Sequence, residues 1–293
     1  MRNKVILAVL GAALGWGLAG VGTRAAYELG ANTVTVLGIR TAVAAVALGA
    51  FVAATRRWPT SLAWRHGTVI GVLRIGVAPL LFMGSLNFIS AGVEGLVITL
   101  VPATTAILAA FLINERITRH QVIGLGIGLI GTTLIAVSGE SGLGAEGNVV
   151  AGFLLAAAGV IVGSLSGVVQ RKYAPLHDTV ELALPMFVAG LGTAAIASLF
   201  FSFDPPAASS HSLWLLLIVL GLGSTLLPFG LTLYASKHAS ATVVATTGYV
   251  APLVAVVGGA ALLDEQITTV IAVGAVLAMV GVALVGGVRR TPT

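Results

Sequence analysis

The chain of 293 residues contains no cysteine. That excludes disulfides, thiolate metal sites and a cysteine nucleophile. Charge is nearly as scarce. Asp, Glu, Lys and Arg make up 9% of the residues, against about 25% in soluble domains. No Walker A sequence occurs, so ATP is not the direct energy source. There is no His-Glu-x-x-His and no Asp-rich phosphate site. His66, His120, His177, His211 and His238 are scattered over loops and the ends of apolar runs. These absences argue against a lipid-modifying membrane enzyme, a metal centre and any bound cofactor. The net charge of +5 is no nucleic-acid signal, because the basic residues sit where apolar runs end.

Apolar residues, by contrast, are abundant. They form 57% of the chain, and mean hydropathy is +1.06, more apolar surface than a soluble core can hide. The runs are near the 20 or so residues that a helix needs to cross about 30 Å of hydrocarbon. A transmembrane β-barrel would alternate in segments of about 10 residues, and this chain does not. The reading is an all-α polytopic membrane protein with ten transmembrane helices: Val5–Ala26, Thr33–Ala54, Gly67–Ile89, Ala91–Ile113, His120–Val137, Val149–Val169, Val180–Phe203, Leu213–Ala235, Ala241–Leu263 and Thr269–Val288. Arg2 and Lys4 before the first run resemble a signal peptide, but the run is longer than a typical h-region and lacks a clear cleavage site, so it reads as the first span. The Gly- and Ser-rich stretch from Ser138 to Asn148 is the joint between two halves.

Charge orients the spans. Arg2, Lys4, Arg56, Arg57, Arg65, Arg116, Arg119, Arg171, Lys172, Lys237, Arg289 and Arg290 fall on one set of alternate ends. The opposite connections carry Glu28, Glu140, Glu146, Asp204, Asp264 and Glu265, and no Lys or Arg. Cytoplasmic loops collect Lys and Arg. The expectation is a multi-pass protein of the cell membrane with both termini in the cytoplasm.

One stretch occurs twice. Pro102 precedes Asn114-Glu115-Arg116-Ile117-Thr118, and Pro252 precedes Asp264-Glu265-Gln266-Ile267-Thr268 at the same spacing. Ser90 matches Ser240, Gly124 matches Gly274 and Gly131 matches Gly281, all at an offset of 150 residues (265 − 115). Repeats set architecture. They divide the chain into five-helix repeats over residues 1–140 and 148–290. Five is odd, so the second repeat enters the membrane from the other face. Inverted-topology repeats recur in secondary transporters, with the substrate near the midplane between them.

These residues resemble the drug/metabolite transporter superfamily, in particular the ten-span bacterial EamA-type exporters. The resemblance covers nearly the whole chain. It rests on Gly15-Trp16-Gly17, Arg40, Pro102 with Glu115-Arg-Ile-Thr, and Pro252 with Glu265-Gln-Ile-Thr. The second half departs from it: the place of Arg40 is apolar, near Phe187, and no Trp-Gly occurs in the sixth span. The resemblance implies export of small metabolites or amino acids through a central cavity.

Intramembrane charge is expensive and calls for a partner, a wet cavity or a nearby interface. Arg24 lies near the outer end of its span and is expected to snorkel; Arg74 is evenly balanced between snorkelling and a cavity. Arg40 and Glu94 share the outer third and are expected to pair, either as a structural bridge or as a substrate or proton site. Glu115 and Glu265 are expected to cap the helices beginning at Thr118 and Thr268. Pro102 and Pro252 read as matched hinges, with Pro79, Pro185 and Pro228 further bends. Candidate substrate-binding residues are Trp16, Arg40, Asn87, Glu94, Tyr234 and Tyr249. Glycines spaced four or seven apart, including Gly124, Gly128 and Gly281, read as close helix contacts.

The function expected is secondary transport of a small organic solute, by alternating access through a central cavity between the repeats. The protein's partners would be that solute and the lipid bilayer, with a proton or an exchanged solute as candidate driving species and no nucleic acid. The alternatives are a sugar-nucleotide or phosphate-ester carrier, which wants several cavity cations, and a channel, which wants symmetric polar rings.

Overall fold

The structure, a computed structural model, describes residues 2–113, 119–138, 148–238 and 247–286. Every regular element among them is helical. In order these are α1 (Arg2–Glu28), α2 (Thr33–Thr55), α3 (Ser61–Gly71), α4 (Ala78–Ser85), α5 (Ala91–Ile98), α6 (Val101–Ile113), α7 (Arg119–Ser138), α8 (Val149–Tyr173), α9 (Thr179–Ala197), α10 (His211–Gly221), α11 (Leu227–His238), α12 (Thr247–Leu262) and α13 (Thr269–Gly286).

Short polar side chains start the helices. Asn32, Thr60, Ser90, Asn148, Asp178 and Thr268 each accept a bond from an amide two or three residues on. Those first-turn amides have no partner within the helix. Six helical rods are long and apolar enough to cross a membrane: Asn3–Glu28, Thr33–Thr55, Ser61–Ser85, Val149–Gln170, Thr179–Ala197 and His211–Thr232. Shorter apolar helices cover Val122–Gly131, Val250–Leu262 and Thr269–Gly281. The exterior is apolar too, with Phe111 and Phe200 each 78% exposed, as suits contact with lipid rather than water. The chain is a polytopic helical membrane protein.

The predicted fourth span is not one helix. It breaks at Thr99 and Leu100 and restarts as α6, with Pro102 in its first turn. Proline lacks an N–H and clashes with the preceding turn, so a first turn is where it does least harm. Pro252, its repeat, lies inside the continuous α12. The predicted third and eighth spans solve the proline problem differently. A π-helical turn, Val72–Val77, joins α3 to α4, and another, Leu222–Leu226, joins α10 to α11. Pro79 and Pro228 follow as the second residues of α4 and α11. The two turns begin 150 residues apart (222 − 72).

The halves interlock. α1 lies on α11 and α12, α2 on α9 and α10, and α4 and α6 on α8. Gly17 allows α1 to meet the backbone of Ala251 and the side chain of Val254. One core cluster joins Ala44, Leu48 and Val52 to Ala183, Leu184 and Phe187. At the end where α3 begins, His66 stacks on Tyr173 with ring centroids 4.0 Å apart, and its Nδ1 lies 2.9 Å from Nε2 of His177. α7 pairs with α13, where Gly281 meets the backbone of Gly124 and Gly128. Among the described residues this pair contributes none to the lining of the cavity described next.

Candidate functional site

Between the halves lies a cavity of about 390 Å³. The first half supplies Trp16, Thr23, Arg40, Arg74, Phe82 and Glu94 to its wall; the second supplies Ser166, Phe187, Ser224, Thr225, Phe229 and Pro252. Among the described residues the charged members of the lining, Arg40, Arg74 and Glu94, all come from the first half.

Arg40 projects from the second turn of α2. Its Nε donates to Oγ1 of Thr225 at 2.9 Å, and its Nη1 approaches Sδ of Met83 at 3.8 Å. The Thr225 hydroxyl in turn donates to the carbonyl of Leu220 at 2.9 Å, five residues back across the π turn. The hydroxyl proton is thus committed to the backbone, and one of the oxygen's two lone pairs accepts from the guanidinium. Tyr27 stands behind: its hydroxyl donates to the carbonyl of Met83 at 2.7 Å and lies 2.8 Å from Oγ1 of Thr33.

Glu94 sits in the first turns of α5, where the helix dipole favours a negative charge. It is 6% exposed. Gly20 makes room for it, since a Cβ there would lie 3.1 Å from Oε2. Among the described residues its carboxylate has no hydrogen-bond partner. Arg74 rides on the first π turn, half-buried, and likewise has neither hydrogen bond nor ion pair among the described residues. Desolvated charges without partners are costly in a membrane. Their common cavity is where water or a charged solute can complete them.

The sequence expectations meet this geometry unevenly. Trp16, Arg40, Glu94 and Pro252 all line the cavity. Arg40 and Glu94 both face the cavity but are not joined by an ion pair. Asn87 lies outside it. Asn87 is exposed and donates to Oγ1 of Thr33 and the carbonyl of Gly84, because the chain has left α4 by that point. Tyr234 also lies outside it, packed with Ala8, Val9 and Ala235, since its face of α11 turns to α1. The side chains of Tyr249 and Pro102, and all of Glu115, lie outside the described residues.

Two further corrections concern the end of the bundle where Arg24 and Glu265 lie. Arg24 does not snorkel. It turns inward, and Nη1 donates to the carbonyls of Leu86 and Ile89, both at 3.1 Å. Glu265 does not cap its own following helix, a task left to Thr268. Its carboxylate instead accepts from Ala91 N at 2.9 Å and Gly92 N at 3.1 Å, capping α5 in the other half. Arg24 and Glu265, 3.9 Å apart, form the one ion pair among the described residues. Sequence reasoning passed over Tyr27, Met83 and Ser166, and did not link Thr225 to Arg40. For Thr225 a signal existed: it lies on the turn before Pro228, where backbone carbonyls seek new partners.

Comparison with known proteins covers most of the chain. The EamA-like transporter family matches residues 3–137 and again 150–287. A protein of Ancylobacter novellus named aromatic amino acid exporter YddG is 30% identical over 235 residues, which is 78% of this chain and 76% of that one. The transporter YyaM of Bacillus subtilis, named as uncharacterized, is 25% identical over 227 residues, 76% of this chain and 73% of its own. A crystal structure superposes with a TM-score of 0.63 over 97% of this chain and 96% of the other, at 23% identity; that likeness concerns the fold alone.

Proposed function

The chain belongs to the EamA-like transporter family, and on that premise we propose that it exports a small organic solute by alternating access through the cavity between its halves. It is a membrane transporter rather than an enzyme. The observation that carries the proposal is the cavity itself. It lies where two interlocked halves meet, and it holds a carboxylate and a guanidinium without a hydrogen-bond partner among the described residues. Its volume falls in the range of ligand pockets, about 300–1,000 Å³.

In this reading the chain crosses the cell membrane ten times, with both termini in the cytoplasm. Residues 1–140 and 148–290 are five-helix repeats of opposite orientation. Support comes from the one-sided distribution of Lys and Arg and from the constant offset of 150 residues, which the paired π turns share. Two halves of like backbone can exchange shapes, so that an inward cavity becomes an outward one.

An aromatic amino acid is the solute of choice. One relative is named as an exporter of that class, and Trp16, Phe82, Phe187 and Phe229 wall the cavity. A phosphate-ester carrier fits less well, because Glu94 would repel a dianion that Arg40 and Arg74 attract. The test is flux in proteoliposomes over a panel of amino acids, organic acids, amines and sugars, with and without a pH gradient. Efflux of at least one panel compound above protein-free vesicles is expected. Dependence on the pH gradient identifies a proton as the driving species.

A further inference from the structure

We propose that the cavity grips its solute at two ends and in one orientation: the ammonium of an amino acid on Glu94, its carboxylate on Arg40, and an aromatic side chain laid inward against Arg74. The inference rests on the exporter reading only in taking this cavity as the transport route.

The two ends follow from depth. Met83 marks the level of Arg40, whose Nη1 reaches its sulfur. Arg74 is nine residues earlier on the same helical rod (83 − 74), about 13 Å of helix rise. Arg40 and Glu94 form the outer end. Both line the cavity, yet no ion pair joins them. An ammonium and a carboxylate on adjacent atoms suit that gap, each completing one protein charge. Thr225 holds Nε of Arg40 and the Met83 sulfur meets Nη1, which leaves Nη2 and the second N–H of Nη1 to the carboxylate, a planar match of donors to acceptors.

Ile75 and Phe82, which lie between Arg74 and Met83 on the same rod, line the cavity together with Phe187 and Phe229 of the other half. An alanine-sized side chain would leave this stretch empty. A ring reaches across it, and a guanidinium with no anion of its own attracts the ring's face. An acidic side chain is the rival occupant for Arg74, but its short stem would set a carboxylate among these aromatic groups. The orientation is unique because the second half contributes no charge to the lining among the described residues; a solute turned end for end finds no second Glu94 there.

The test uses the purified full chain. Thermal unfolding is followed with L-phenylalanine, phenethylamine, 3-phenylpropionate, L-alanine and L-glutamate, since a ligand of the folded state raises the midpoint. L-Phenylalanine should stabilise at millimolar concentration, and the two single-charge analogues should not. Glu94→Gln should weaken L-phenylalanine by about tenfold or more, as expected for loss of a charged hydrogen bond. Arg74→Met should cut the preference for L-phenylalanine over L-alanine by about fivefold, without admitting the analogues. The grip is overturned if either single-charge analogue stabilises as well as L-phenylalanine, if none of the five stabilises, or if Glu94→Gln responds like the parent. A stronger response to L-glutamate than to L-phenylalanine overturns the assignment of Arg74. Flux is measured separately in proteoliposomes. Binding without flux of any panel compound defeats the exporter reading and leaves the grip standing. Flux of a solute lacking either charge does the reverse.

Discussion

The two π-helical turns occupy matching places and carry opposite chemistry. Val72–Val77 presents Arg74 and Ile75 to the cavity; Leu222–Leu226 presents Ser224 and Thr225 at the same two positions (74 + 150, 75 + 150). Each is preceded by a glycine packed on the crossing helix of the other half. Gly71 meets the backbone of Met186, and Gly221 meets the carbonyl of Arg40. Met186, fully buried, thus stands where the second half would carry its own Arg40. Thr225 receives the guanidinium, whereas Ile75 packs against Gly190. The backbone is repeated and the side chains are not. A repeated backbone suits two arrangements of similar energy; unequal side chains suit a solute with two different ends.

The comparison can be broken at its charges first. Arg40→Ala should lower transport by about 10- to 100-fold, since a hydrogen bond to a charged group is worth about 1.5–3 kcal/mol. Because no ion pair joins Arg40 to Glu94, the double variant Arg40→Ala/Glu94→Ala should not regain transport. Recovery in a flux assay would show that the two residues serve each other and not the solute.

A smaller effect is expected at the tie made by Glu265. Glu265 holds α5 of the first half through two backbone amides. Glu265→Gln keeps the shape but loses a charge-assisted bond, worth about 1.5–3 kcal/mol. The protein should unfold at a lower temperature, and a cysteine at Thr23 should label faster from outside. Unchanged labelling would mean that the tie does not hold the outer end shut.

Smaller again is the positioning of Arg40. Thr225→Val removes the acceptor while keeping the shape, and should raise KM about fivefold or more with little change in folded yield. Thr225→Ser should restore it. If serine fails as valine does, the methyl group and not the hydroxyl is what matters. The smallest change is expected where the structure leaves the cavity: Asn87→Ala and Tyr234→Phe should transport within about twofold of the parent, a difference below about 0.5 kcal/mol.

Helix, membrane and repeat were legible because each is written redundantly. Apolar runs, basic ends and a duplicated Pro…Glu-x-Ile-Thr motif agree over many residues. The break at Thr99 and Leu100 was half legible, since Pro102 announces a disturbance without saying whether the helix bends or restarts. The site was legible as residue types but not as partners. Arg40 and Glu94 stood out as costly charges, and pairing them followed from cost alone. Their separation depends on Thr225, 185 residues away, and on Met83. Glu265 was misplaced for a like reason. A carboxylate one turn before a helix start reads as a local cap, and only the docking of the halves brings the amides of Ala91 and Gly92 to it.

The central claim is that one cavity between the halves serves both faces of the membrane. Ser224, 7% exposed and on the second π turn, lines it. In a chain without cysteine, Ser224→Cys offers a single thiol at that place. A membrane-impermeant thiol reagent, applied to intact cells and to inside-out vesicles, reads its access from each side. The account predicts labelling from both sides, slowed in each case by the transported solute. Labelling from one side alone, or from neither, would contradict it.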